Sequence, residues 1–154
     1  MKSNQKIITS DVSKTERAGA ELARTLVSDA SLPPFVALYG DLGVGKTAFI
    51  RGFVSVISPA ATVRSPTFAL VNEYRARPRS VFHFDMYRIE DEDDLDSIGF
   101  YDYLDRNGIC LVEWSERIPY ALPDDYIRVT IEKNDPDAPS SREIRIERVC
   151  EDDV

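Results

Sequence analysis

Hydrophobic and polar positions along this chain switch repeatedly between a period of two and a helical period. Lys6 to Thr9 reads as a first strand. Ala18, Leu22 and Leu26 then give a helix its apolar face, and Ser13-Lys14-Thr15-Glu16 before them has the form of a capping box, Ser13 bonding forward and Glu16 reaching back. Pro33-Pro34 ends that segment. Phe35 to Tyr39 is continuously apolar, as a strand buried on both faces is, and Phe49, Ile50, Phe53, Val54 and Ile57 recur at helical spacing until Ser58-Pro59. Phe68 to Tyr74 and Val81 to Met86 form a predicted hairpin around a turn at Ala76 to Ser80. The acidic run Glu90 to Asp96 suits the positive end of a helix dipole, and the helical stretch continues through Leu104 with a break at Gly99. Ile109 to Val112, introduced by Asn107-Gly108, is a second buried-type strand that ends on Glu113-Trp114. Tyr126 to Lys133 and Arg142 to Val149 alternate around Asn134 to Ser141, which predicts a long-looped hairpin, and Glu151 to Val154 is expected to fray.

The chemistry sits between the first buried strand and its helix. Gly40-Asp41-Leu42-Gly43-Val44-Gly45-Lys46-Thr47 fits G-x-x-x-x-G-K-[ST], the loop that wraps nucleotide phosphates. The glycines free the backbone so that N–H groups from Asp41 through Ala48 can converge on one anion, helped by the helix dipole. Lys46, expected to face solvent in the empty site, supplies a point charge for the β- and γ-phosphates, and Thr47 a hydroxyl for Mg²⁺. The strand–loop–helix order supports the match. No Asn-Lys-x-Asp signature follows, which favours ATP over GTP. The expected fold is α/β, a three-layer sandwich of the P-loop NTPase type over residues 1–154. Its mixed, mostly parallel central sheet would carry helices on both faces and antiparallel hairpin strands.

A carboxylate must complete the magnesium site from a neighbouring strand end, and Asp85 and Glu113 compete for that place. Glu113 follows the more uniformly apolar run, so it is assigned to the metal shell together with Thr47. Asp85 follows a run broken by His83, read as a strand with one wetter face, and takes a second role in the same site. His83 itself reads as a half-buried strand residue bonded to a neighbour, in preference to a catalytic role. Trp114 can stack near a ligand or simply pack. Ser65-Pro66-Thr67-Phe68 can sense a γ-phosphate as a switch or cap a turn.

Composition narrows the function classes. At 154 residues, 43% hydrophobic and 30% charged, the chain fits one soluble domain. Its net charge of −8 opposes direct binding to a phosphate backbone, with Arg75, Arg77 and Arg79 as a local basic exception. Cys110 and Cys150 have no metal-type spacing and read as free thiols. With no apolar leader or membrane-length run, the expected location is cytoplasmic.

Assembled, these residues closely resemble the TsaE (YjeE) family of small bacterial P-loop ATPases, from about Thr9 to about Asp124. The resemblance rests on the phosphate loop, Ser65-Pro66-Thr67-Phe68, Val71-Asn72-Glu73-Tyr74, His83-Phe84-Asp85-Met86-Tyr87-Arg88, Ile98-Gly99-Phe100, Asp102-Tyr103-Leu104 and Val112-Glu113-Trp114. Val44 and Ala48 stand where the family often has Ala and Thr, and the C-terminal third matches loosely. The resemblance implies an ATPase required for N6-threonylcarbamoyladenosine beside the anticodon of tRNA. It would act through a heterodimer of TsaB- and TsaD-type proteins and meet tRNA only indirectly. It also implies phosphate and magnesium roles for Lys46 and Thr47, the metal shell for Glu113, a mechanistic position for Asp85, a switch-like segment at Thr67 and a place near the site for Trp114.

The expected mechanism is slow in-line attack of water on the γ-phosphate, with Glu113 or Asp85 orienting the water. No arginine finger is evident, so Arg88 or a partner's side chain is the candidate source. ATP is expected to order the segment from Ser65 through Tyr87 for partner binding. A small-molecule kinase with Asp85 as base, and a module that binds ATP without using hydrolysis, are the two rival readings.

Overall fold

The computed structural model describes residues 4–41, 43–66 and 70–150. Leu42, Thr67, Phe68 and the expected frayed tail at 151–154 lie outside them. Seven strands form one mixed sheet: β1 Asn4–Thr9, β2 Phe35–Tyr39, β3 Val71–Tyr74, β4 Ser80–Asp85, β5 Gly108–Glu113, β6 Asp125–Asp135 and β7 Ala138–Cys150, in the spatial order β1-β7-β6-β2-β5-β4-β3. The four central strands β6, β2, β5 and β4 run parallel, while β3, β7 and β1 add antiparallel margins.

Alternation along the central strands sorts the core onto the two faces of the sheet. Val36, Leu38, Val81, Ile109 and Leu111 join Leu22, Leu26, Phe49 and Phe53 on one side, under the helices α1 Val12–Ser28 and α2 Lys46–Ile57. Phe35, Ala37, Phe82, Phe84, Cys110 and Val112 join Leu95 and Phe100 on the other, under the short helices α3 Glu92–Ser97 and α4 Phe100–Leu104. Burial pushes the Cys110 thiol up to about 12, and both cysteines are free.

Two local expectations are corrected. The cap of α1 is Asp11, whose carboxylate accepts from the Lys14 N–H at 2.9 Å and the Ser13 hydroxyl at 2.7 Å. A carboxylate two residues ahead of Ser13 competes better for the free N–H groups, and Glu16 pairs with Arg51 at 2.9 Å instead of reaching back. The last hairpin is also not long-looped. β6 and β7 pair out to Asp135 opposite Ala138, with an irregularity between Lys133 and Asp135, so the polar residues extend the strands past the core.

Helices α1 and α2 meet backbone to backbone. A Cβ on Gly52 would lie 1.7 Å from the Glu16 carbonyl oxygen. Glycine to alanine inside a helix ordinarily stabilises by ~1 kcal/mol, but here Gly52→Ala is expected to destabilise by about 2–3 kcal/mol through overpacking. A thermal melt checks this, and a variant as stable as the parent would show that the close approach tolerates a methyl group.

Candidate nucleotide site

Helix α2 begins at Lys46, directly after a loop whose Gly43 and Gly45 have φ of 79° and 107°. Gly45 caps the helix in left-handed backbone with no side chain in the way, so the first helical N–H groups stay open. Among the described residues, no acceptor meets the N–H groups of Gly43, Val44 and Gly45. Such a concave run of unclaimed donors at a helix N-terminus fits a polyphosphate. Thr47 is exposed in the first turn.

Lys46 departs from expectation. It is buried, donates from Nζ to the Gly40 carbonyl at 2.6 Å and lies 4.1 Å from the centre of the Trp114 ring. Desolvation makes both contacts worthwhile, because the ammonium finds a carbonyl and an aromatic face where water is scarce. Trp114 reaches this place because its own φ of 58° turns the chain sharply after β5, and its ring also meets Tyr87 with centroids 5.0 Å apart.

The two carboxylates stand side by side, Asp85 and Glu113 being register partners at the ends of β4 and β5. Both are buried, so the wetter strand face expected for Asp85 does not exist. β4 is covered by helices as β5 is, and β3 shields its outer side. His83 is fully buried and its Nε2 meets Glu113 Oε2 at 2.6 Å. Asp85 Oδ1 accepts from the Tyr87 N–H at 2.9 Å. Burial pushes the Asp85 carboxyl above the usual carboxylate range and Glu113 adds to the rise, against the Tyr87 N–H, His83 and Lys46.

This gives a signed stability prediction. A carboxyl whose folded pKa is raised binds its proton more tightly when folded, so stability falls as pH rises from the ordinary value of 3.8 through the raised one. Asp85→Asn, measured with chelator present, is therefore expected to stabilise at neutral pH by on the order of 1 kcal/mol. The gain should shrink as the solution is acidified. A variant that melts lower than the parent at pH 7 would contradict it.

The protein offers one hydroxyl and two carboxylates, oxygen donors that suit Mg²⁺ when phosphate and water supply the rest. Among the described residues, no group of three or more His, Cys, Asp or Glu could hold a metal by itself. Of the predicted residues the fold thus brings together Lys46, Asp85, Glu113 and Trp114 beside Thr47. Arg88 lies exposed just beyond Asp85, and Asp41 is exposed on the loop.

Sequence reasoning missed one support. Arg142 at the start of the last hairpin's return donates from Nε to the Val44 carbonyl at 2.8 Å, bracing the loop from 98 positions away. No local signal could have found it. Behind that brace, a cavity of about 180 Å³ lies between the start of α1 and the hairpin, lined by Val12, Thr15, Val44, Ala48, Ser140 and Arg142 among others.

With this geometry in place, comparison with known proteins decides the family. The family model for threonylcarbamoyl adenosine biosynthesis protein TsaE matches residues 9–144. The chain belongs to the TsaE family. A Haemophilus influenzae protein named tRNA threonylcarbamoyladenosine biosynthesis protein TsaE is 43% identical over 100 residues, covering 65% of this chain and 63% of that one. The Bacillus subtilis protein of the same name is 34% identical over 138 residues, covering 85% of this chain and 84% of its own. The crystal structure of Bacillus subtilis YdiB superposes with a TM-score of 0.72 at 27% identity, over 95% of this chain and 85% of that one. The match to TsaE thus extends past Asp124 into the last hairpin, beyond the motifs that carry the resemblance. Among its described residues, this TsaE-family chain has no helix long and apolar enough to cross a membrane.

Proposed function

We propose that this chain is the ATP-binding and ATP-hydrolysing subunit of N6-threonylcarbamoyladenosine synthesis on tRNA, acting on a TsaB–TsaD heterodimer and meeting tRNA only through it. The observation that carries the nucleotide part is the convergence of Lys46 and the paired carboxylates Asp85 and Glu113 at one phosphate-type loop. We read the architecture as a P-loop NTPase sandwich, and the relatives' names supply the pathway.

The triphosphate lies along the loop, accepting from the N–H groups of residues 43–48. Lys46 exchanges the Gly40 carbonyl for phosphate oxygens. Thr47 and Glu113 would hold Mg²⁺, which when bound would neutralise charge on the phosphates. Asp85, whose raised pKa comes from burial, orients the attacking water with Glu113. The base is assigned to the cavity beside Val12 and Ser140, whose lining includes Gly43, Val44, Gly45 and Ala48 of the loop and neither carboxylate. An arginine from Arg88 or from the partner completes the charge stabilisation.

The same geometry supports the reading of partner dependence. The Asp85 N–H donates to the Leu70 carbonyl at 3.1 Å, and Leu70 has a left-handed φ of 66°. A change in the Ser65–Leu70 segment on nucleotide binding would therefore be felt at Asp85 and in the β3–β4 hairpin. By linkage, a partner that prefers the nucleotide-bound form raises nucleotide affinity by the same factor.

The test is Mg²⁺-dependent ATP turnover by the purified chain, with and without TsaB and TsaD proteins. Weak turnover alone and a large rise with both partners is the expected result. Tight ATP binding with no turnover in either condition would instead make the chain a binding module.

A further inference from the structure

The mechanism above leaves one sealed polar side chain without a task. His83 sits in β4 between Leu111 of β5 and Asn72 of β3, on the sheet face that carries Asp85 and Glu113. It is 1% exposed, and its ring stacks on Tyr74 with centroids 6.2 Å apart and planes 27° from parallel. Nε2 meets Glu113 Oε2 at 2.6 Å, while Nδ1 is buried and has no partner among the described residues. A buried acceptor left unpaired is costly. An apolar residue would avoid that cost in a strand otherwise packed with Val81, Phe82 and Phe84. Something at this position therefore requires the nitrogen that is paired.

The other oxygen of Glu113 explains the requirement. Oε1 makes no hydrogen bond to the described residues, and the Glu113 side chain keeps 7% of its surface exposed. A carboxylate with two equivalent oxygens and free rotation would present either of them, or neither squarely, to a metal or a water. Pinning Oε2 removes that freedom. The charged groups around the pair are Asp85 in register with Glu113, and Lys46 across the face.

We propose that His83 is a positioning residue. Its Nε2–H holds Oε2 of Glu113 so that Oε1 alone faces the magnesium and the attacking water. A carboxylate oxygen accepts, so the proton in this bond is on Nε2, and Nδ1, which meets no acceptor among the described residues, is left bare. Tyr74 keeps the ring in plane, and the parallel pairing of β4 with β5 fixes the distance. The functional part rests on the nucleotide reading above. The hydrogen bond and tautomer do not, and outer-shell partners of this kind orient metal ligands generally.

His83 is the only histidine in the chain, so its ring nitrogens can be observed directly. Nitrogen-15 spectra of the whole protein are expected to show the Nε2-protonated tautomer with a slowly exchanging proton, and Glu113→Ala should abolish that slow exchange. An Nδ1-protonated ring, or a spectrum indifferent to Glu113, would overturn the proposal whether or not the protein hydrolyses ATP. For function, His83→Leu removes the donor, while His83→Gln places an N–H at the same reach. Leu is expected to lower kcat at least tenfold and to raise the Mg²⁺ needed for half-maximal turnover. Nucleotide affinity without metal should stay within twofold, and Gln should recover most of the loss. In a Glu113→Ala background, His83→Leu should cost less than a further twofold, because the carboxylate that His83 positions is gone. Equal losses for Leu and Gln, or an undiminished loss in that background, would make His83 a packing residue only.

Discussion

Lys46→Ala is expected to lower ATP affinity by roughly 100-fold, the scale of losing a charge-assisted bond to phosphate. The fold should survive. In the structure Lys46 is tied to the Gly40 carbonyl at 2.6 Å and covers Trp114 at 4.1 Å, so alanine also removes two native contacts. A melting temperature lowered by an amount matching about 1 kcal/mol is therefore expected beside the binding defect. This differs from what a solvent-facing lysine would give, which is no change in stability at all. Titration with nucleotide and a parallel melt separate the two effects. Unchanged affinity would remove the assignment of the loop.

Glu113→Gln should leave ATP bound and reduce turnover by ~10²–10³-fold, the range seen when one group stabilising the transition state is removed. The amide keeps the size of the side chain, and its oxygen can still accept from His83, so the defect isolates the charge. Turnover measured against Mg²⁺ concentration should show a weakened metal dependence. Asp85→Asn should impair turnover with a smaller change in that dependence, because Asp85 already spends one oxygen on the Tyr87 N–H at 2.9 Å. A larger metal defect at Asp85 than at Glu113 would exchange their roles. The two carboxylates are neighbours in register, so their effects are not expected to add.

The same two positions show the difference between local and tertiary information. Glu113 was legible as a strand-end carboxylate because Ile109 to Val112 is apolar on both faces, and β5 is indeed flanked by parallel strands on either side. Asp85 was legible as its rival for the same reason. What misled was His83, read as a sign of a wet strand face. In the structure it is a buried partner of Glu113, a relation between strands that no single run of residues contains.

The sequence by itself determined the elements and the loop. Backbone preferences, side-chain periods of two and 3.6 residues, and the glycines around Lys46 act within a few residues of one another, so they can be read in order along the chain. The tertiary structure decided what depends on closing the sheet. It placed β6 beside β2 with β7 and β1 outside it, brought Arg142 onto the Val44 carbonyl, and folded Lys46 onto Trp114. These outcomes rest on contacts between residues far apart in sequence. Their energy depends on how much water the finished fold excludes, and that quantity exists only once the layers have met.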